Sequence, residues 1–237
     1  MKVFLSGYGR MGRMIEQLAQ EKGWSIVGKG DITCPEAYDT APAADICIDF
    51  SGVGAMPKLL AYVRRTKTPL LSGTTGLTEP DLEALHALGD TVPVIWTANY
   101  STGIAVLRRM LRDYGAALAD WDKEIVEIHH NRKVDAPSGT AKLLLQELDP
   151  KGEATVLHGR EGICGERTPG EIGVFSLRGG TVAGEHTVYF FGEDETLQLT
   201  HTAASRKIFA AGALRAAESL VKKPAGFYSL DELLFDI

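Results

Sequence analysis

The chain has 237 residues, 44% of them hydrophobic and 24% charged, and 25 Lys and Arg against 31 Asp and Glu leave a net charge of −6. This composition argues against disorder, allows one large or two modest domains, and gives no electrostatic reason to bind nucleic acid or an anionic membrane. No apolar run nears the ~18 residues of a membrane span, and the opening Met1–Gly7 stretch breaks too early for a signal peptide. Three scattered cysteines, Cys34, Cys47 and Cys164, make neither a disulfide framework nor a zinc knot, so a cytoplasmic protein is expected.

Lys2–Ser6 reads as a strand that runs directly into a glycine cluster. From Arg10 to Lys22 the residues Met11, Met14, Ile15 and Leu18 recur on one helical stripe, and Gly23 is placed to stop the helix. Ser25–Gly28 and Asp45–Phe50 read as strands, Leu59–Arg64 as helical, Pro69–Ser72 as extended, Asp81–Leu88 as helical and Val92–Trp96 as extended. This alternation predicts an α/β unit, a Rossmann-like doubly wound parallel sheet, over the first hundred residues.

Near Ser101 the character changes. A helix carrying Ile104, Leu107, Leu111 and Leu118 leads to a strand over Glu124–His130 and a helix over Ser138–Leu148. Residues 150–170 lack any period and read as a long loop. Strands follow at Ile172–Leu177, Thr187–Phe191 and Thr196–Thr202, with turns at Gly179-Gly180 and Gly192–Glu195. Short turns predict antiparallel neighbours, so this half is expected to be α+β on an open mixed or antiparallel sheet. Ser205 is placed to cap a last helix reaching about Val221, with Pro224 beyond it.

Gly7-Tyr8-Gly9-Arg10-Met11-Gly12 is a G-x-G-x-x-G run that leaves a strand and opens a helix, the context in which such a loop cradles a dinucleotide pyrophosphate. The competing reading is a structural tight turn. Asp31, 19 residues after Gly12, lies where an acid would meet the adenosine ribose, although a solvated loop aspartate fits equally, and Lys29 is an alternative partner for a 2′-phosphate. Gly73-Thr74-Thr75-Gly76 and Thr97-Ala98-Asn99-Tyr100 end two further strands of the same sheet, on its expected ligand side.

The stretch from Glu124 to Thr140 is the most unusual. Alternation puts His129 on the face of Ile125 and Glu127, and His130 on that of Val126 and Ile128, so the two imidazoles cannot easily share a metal and no metal site is expected. Taken alone, His130 reads as a hydrogen-bonded strand-end histidine and Lys133 as a surface charge. Together with a helix start at Pro137-Ser138-Gly139-Thr140 they read as a site for an anionic, proton-accepting ligand. Ser138 would cap the helix, and the Gly139 and Thr140 N–H groups would meet a carboxylate. His129 and Lys133 are the groups suited to general acid catalysis, unless Asp135 pairs with Lys133. Arg160, Arg167, Arg178-Gly179-Gly180 and Gly184-Glu185-His186 are further groups that suit an anion, most of them read as turn and subunit-contact residues rather than catalytic ones.

These motifs resemble those of the 4-hydroxy-tetrahydrodipicolinate (dihydrodipicolinate) reductases. The similarity runs through Gly7–Gly12, Asp49-Phe50-Ser51, Gly73–Gly76, Thr97–Gly103, Glu127–Ala141, Gly165-Glu166-Arg167, Arg178-Gly179-Gly180, Gly184–Thr187 and Ser205–Ala213. The resemblance implies hydride transfer from NADH or NADPH to a cyclic dicarboxylate with loss of water. It makes His129 and Lys133 the proton-donating pair, and His130, Lys133, Ser138, Gly139 and Thr140 the substrate-binding set. For the cofactor it implies Gly7, Tyr8, Gly9, Arg10, Met11, Gly12, Gly73, Thr74, Thr75, Thr97, Ala98, Asn99, Tyr100 and Arg206, to which the spacing after Gly12 adds Asp31. It also implies a homotetramer, and a last helix that returns to the nucleotide domain. The expected division is therefore 1–102 with 206–237 for the cofactor, and 103–205 for substrate and oligomerisation. Around Val27–Thr33 the acid–arginine pair of the family is missing, which leaves the choice of cofactor open. Two other readings stay available: a nucleotide-sensing regulator without turnover, and a semialdehyde-type dehydrogenase, which would need a nucleophilic thiolate.

Overall fold

The computed structural model describes residues 1–235. The chain forms two compact units, one from Met1–Thr102 together with the segment that begins at Lys207, the other from Gly103–Arg206. The second crossing thus falls one residue later than expected, and Arg206 belongs to the second unit.

The first unit runs β1 (Lys2–Ser6), α1 (Arg10–Glu21), β2 (Ser25–Gly30), α2 (Ala37–Thr40), β3 (Ile46–Asp49), α3 (Met56–Thr66), β4 (Leu70–Ser72), α4 (Glu79–Leu88) and β5 (Pro93–Trp96). Its strands pair in parallel, with β2 at one edge, then β1, β3, β4 and β5. The strands are short apolar runs because both faces are covered. Alternation divides them: Val3, Leu5, Ile46, Ile48, Leu71 and Ile95 enter a core with Ile15 and Ala19 of α1. Phe4, Cys47, Leu70 and Val94 enter another with Leu59, Tyr62 and Val63 of α3 and Leu85 of α4.

The second unit runs α5 (Thr102–Tyr114), whose first residue still belongs to the first unit, then β6 (Asp122–His129), α6 (Gly139–Leu148), β7 (Thr155–Leu157), β8 (Glu171–Arg178), β9 (Gly184–Phe191) and β10 (Thr196–Ala203). Its sheet has the order β10-β9-β6-β8-β7. One face packs Ile125, Ile172, Val174, Val188 and Phe190 against Leu107 and Leu111 of α5 and Ala141 and Leu144 of α6.

The turn at Gly179-Gly180 does not make β8 and β9 neighbours, contrary to the expectation from its length. β6 lies between them, parallel to β8 and antiparallel to β9. The connection can be short because it crosses the end of β6 and bonds to it: Gly179 N–H donates to His129 O, His130 N–H to Val182 O, and Asn131 N–H to Gly180 O. The sheet is therefore mixed.

The chain then returns to the first unit as α7 (Lys207–Leu220), β11 (Gly226–Tyr228) and α8 (Leu230–Leu234). Ala210, Ala213, Leu214 and Ala217 of α7 join the core that holds Ile15 and Ala19, and β11 extends the sheet beside β5. The short elements α2, β7, β11 and α8, three to five residues each, have no counterpart in the expected pattern. Among the described residues no helix is long and apolar enough to cross a membrane.

Candidate active site

In the first unit the glycine loop is built by close approach. Gly7 has φ +86°, and a Cβ there would lie 2.6 Å from Phe50 O; a Cβ on Gly12 would lie 2.1 Å from Gly7 O. Gly9 is the opposite case, since a Cβ would meet nothing within 4 Å. Gly9 is also the N-cap of α1, with no side-chain cap and no acid in the first turn. An open, uncapped and acid-free helix start is what a pyrophosphate requires, and these residues fit the phosphates of a dinucleotide.

Around the loop, Tyr8 Oη donates to Glu16, whose carboxylate also takes Lys29 Nζ at 2.7 Å, and Lys29 lies 4.1 Å from the centre of the Tyr8 ring. Burial works to raise the Glu16 carboxyl, but the Lys29 and Tyr8 bonds outweigh it and lower it. Asp31, directly after β2, accepts from the Thr33 hydroxyl and the Thr33 N–H, both at 2.6 Å. These bonds hold its carboxyl below the usual range. Lys29 is thus already partnered, and Asp31 is fixed as an anion at the end of the strand.

A buried aspartate joins the carboxyl ends of three strands. Asp49 of β3 accepts from Ser6 (2.7 Å), Ser51 (2.5 Å), Ser72 (2.7 Å) and Thr74 (2.8 Å) hydroxyls. The Thr74 hydroxyl is therefore committed, while Thr75 is exposed. A Cβ on Gly73 would lie 2.4 Å from the Phe50 ring. Tyr100 is buried and donates to Ser72 O at 2.7 Å; Asn99 Oδ1 takes the Ser101 N–H at 2.8 Å, and Ala98 is exposed. The hydroxyls of Thr74 and Tyr100 are thus both engaged inside the unit, and the Thr74 C=O accepts from Trp96 Nε1 at 2.8 Å. The Asp49 cluster was not foreseen as a functional feature, because its hydroxyl donors are spread from residue 6 to residue 74.

The second unit gathers the histidine–lysine segment with partners that sequence reasoning set aside. Glu127 is fully buried on β6. Its carboxylate takes two guanidinium N–H bonds from Arg178 (2.7 and 2.8 Å), the Ser138 N–H (3.1 Å) and His129 Nδ1 (2.5 Å). Burial opposes its ionisation, but Arg178, Ser176, His129 and Ser138 bring it down to about 2. Cross-strand register makes the cluster: Glu127 stands opposite Ser176 on β8 and His186 on β9, and His129 opposite Arg178.

Ser138 caps α6 by accepting from Ala141 N at 3.1 Å, and its hydroxyl also lies 2.9 Å from His186 Nε2. Burial, with His129 close by, depresses the His186 imidazole to about 4, so it is neutral at pH 7 and shares one hydrogen bond with the Ser138 hydroxyl. The Ser138 N–H and hydroxyl are both bonded inside the protein, whereas a Cβ on Gly139 would point into open space. Lys133 is paired with the exposed Asp135 at 2.8 Å, the pairing that the sequence left undecided. His130 carries a buried Nδ1 without a hydrogen-bond partner, and burial together with the charges of Arg132 and Arg206 lowers its imidazole. Arg206, expected at the cofactor, stands in the second unit close enough to press on His130.

Two of the three thiols are unsuited to act as a nucleophile. Cys47 is core, with its thiol pushed well up by burial, and the Glu36 carboxylate raises that of Cys34; Cys164 is exposed.

The chain matches known proteins along nearly its whole length. Residues 1–100 match the family description "Dihydrodipicolinate reductase, N-terminus" and residues 103–234 "Dihydrodipicolinate reductase, C-terminus". The 4-hydroxy-tetrahydrodipicolinate reductase of Staphylococcus aureus is 43% identical over 245 residues, covering 98% of this chain and 100% of that one. That of Exiguobacterium sibiricum is 40% identical over 239 residues, 98% and 96% of the two chains. Among solved structures, a dipicolinate-bound dihydrodipicolinate reductase from Paenisporosarcina sp. TG-14 shares the fold, with a TM-score of 0.75 at 20% identity over 99% of each chain. With both halves matched and two-fifths of the residues shared over nearly full length, the chain belongs to the dihydrodipicolinate reductases, a family of NAD(P)H-dependent oxidoreductases.

Proposed function

We propose that the chain reduces 4-hydroxy-tetrahydrodipicolinate to tetrahydrodipicolinate in lysine and diaminopimelate biosynthesis. The cofactor, NADH or NADPH, supplies a hydride; one proton is taken up and water leaves. The observation that carries this reading is the convergence of His129, His130 and Lys133 on one strand end, followed by the capped start of α6. His130, Lys133 and the Gly139–Thr140 backbone hold the two carboxylates. A substrate carboxylate displaces Asp135 from Lys133 at little cost, since an exposed ion pair is worth about 0–1 kcal/mol. His129 and Lys133 then donate the proton. The open start of α1 at Gly9 holds the cofactor's phosphates.

The protein is proposed to work as a homotetramer assembled through the second sheet. Its other face carries Val126, Phe175, Leu177, Tyr189 and Phe191, alternating with the core residues, and Leu177 and Phe191 are more than 40% exposed. An apolar sheet face of that kind is typical of a subunit contact. Cytoplasmic residence is part of the proposal, supported by three free thiols, which a reducing compartment preserves.

The test is oxidation of NADH and NADPH, with substrate made in place from pyruvate and aspartate semialdehyde by a condensing enzyme. Turnover is expected with at least one cofactor, and Lys133→Ala should lower kcat by about 10²–10⁴-fold with little change in cofactor affinity. Binding of both cofactors without turnover would favour the regulator reading instead.

A further inference from the structure

Glu127 takes no direct part in the chemistry proposed above, yet its fully buried carboxylate is heavily bonded. Its Oε2 receives Arg178 Nη1 and His129 Nδ1, and its Oε1 receives Arg178 Nη2 and the Ser138 N–H. The Ser176 side chain adds a further hydrogen bond. A site surrounded by donors demands a group that only accepts, which at a buried position means an ionised carboxylate. Glutamine would fill the same volume, but its NH₂ would have to face one of those donors.

Two parts of the substrate site are therefore tied to one group. Nδ1 of His129 is 2.5 Å from Oε2, and among the described residues no other acceptor is bonded to it. The other ring nitrogen, Nε2, faces Gly184, where a Cβ would come within 3.1 Å; glycine keeps that side clear. The charged and titratable groups around the ring give no competing acceptor. Arg178 on β8 is neutralised by Glu127, Lys133 is cationic, and His186 on β9, 5.1 Å away between ring centres, directs its Nε2 at Ser138.

We propose that Glu127 is a positioning residue: Oε2 keeps the proton on Nδ1 of His129, so that Nε2 exchanges a proton with substrate, while Oε1, through the Ser138 N–H, fixes the carboxylate-binding start of α6 relative to that nitrogen. The inference rests on the proposed reading of His129 as an acid–base group. The same clamp brings Arg178, a residue on a different strand, into the site.

The direct test is ¹⁵N NMR of the histidine rings in the wild-type protein at a pH where His129 is neutral, with a His129→Gln sample for assignment. The proton is expected on Nδ1; a neutral ring carrying it on Nε2 would overturn the proposal, and this reading needs no variant at position 127 to fold. In Glu127→Gln, the Nδ1–H tautomer should be lost, kcat should fall about 10²-fold, and binding of pyridine-2,6-dicarboxylate should weaken while NADPH binding is retained. A Glu127→Gln enzyme that keeps the tautomer and loses less than about threefold in kcat also refutes it. His129→Gln with wild-type kcat would instead sink the reading of His129 itself, so the two failures are distinguishable.

Discussion

His186 and Glu127 work in the same direction on acid stability. Burial depresses His186 from its ordinary 6.5 to about 4, so between those values the unfolded chain binds the proton that the native protein refuses. Stability then rises with pH across that window and falls as pH drops from about 6.5 toward 4, by about 3 kcal/mol for this one group. Glu127, held at about 2, contributes stability that is complete above the ordinary 4.5 and lost as pH falls through about 2. Urea unfolding across pH 7 to 4 is expected to show a steady decline, and His186→Gln should flatten it between pH 6.5 and 4. An unchanged slope would mean that His186 is not buried neutral. Neither group was legible as functional in sequence. His129, His130 and Lys133 announce themselves by crowding into five residues, whereas Glu127, Arg178 and His186 span sixty positions and meet only through strand register.

Elements were most legible where one pattern served one purpose. The stripe Met11, Met14, Ile15, Leu18 could only be a helix with one buried side, and α1 is that helix. With so few positions no period shows in α2, β7, β11 and α8, whereas β1, β3, β4 and β5, equally short, were marked by the alternation of strand and helix along the first hundred residues. The pairing of β8 failed for another reason: turn length bounds how far the chain travels, not which strand lies beneath it. The Gly179–Ala183 connection spends its backbone bonds on β6, and only the resulting parallel pairing lets Arg178 reach Glu127. The glycine loop allows a sharp test at this scale. Gly12→Ala would drive a methyl to 2.1 Å from Gly7 O, a backbone atom that cannot swing aside. Such overpacking typically costs about 1–3 kcal/mol. Thermal unfolding should register that loss, and NADH titration a larger one as the helix start moves off the phosphate position. A variant with wild-type affinity would show that the loop tolerates widening.

At the scale of the molecule, the uncovered face of the second sheet predicts how the protein assembles. Leu177→Glu places a charge on an exposed position of that face, where the isolated subunit tolerates it and a buried contact does not. Light scattering after gel filtration should show tetramers for the wild-type chain and smaller species for the variant; tetramers in both would exclude this face. Two-unit organisation was readable from the change of rhythm near Ser101, but the return of the chain to the first unit was not readable from pattern: α7 is an ordinary apolar helix, and nothing in its residues says which core it completes. That return sets a schedule for synthesis. Ala210, Ala213, Leu214 and Ala217 finish the packing around Val3, Leu5 and Ile15. The ribosome makes roughly a hundred intervening residues first, on the order of 5–20 s at about 5–20 residues per second. Throughout that interval the nascent nucleotide unit carries a bare apolar flank, while Gly103–Arg206, a continuous stretch with its own core, has all its residues as soon as it emerges. The first part of the chain to be translated is the last to be sealed, and the period in which a chaperone would matter most is fixed by the length of the inserted unit.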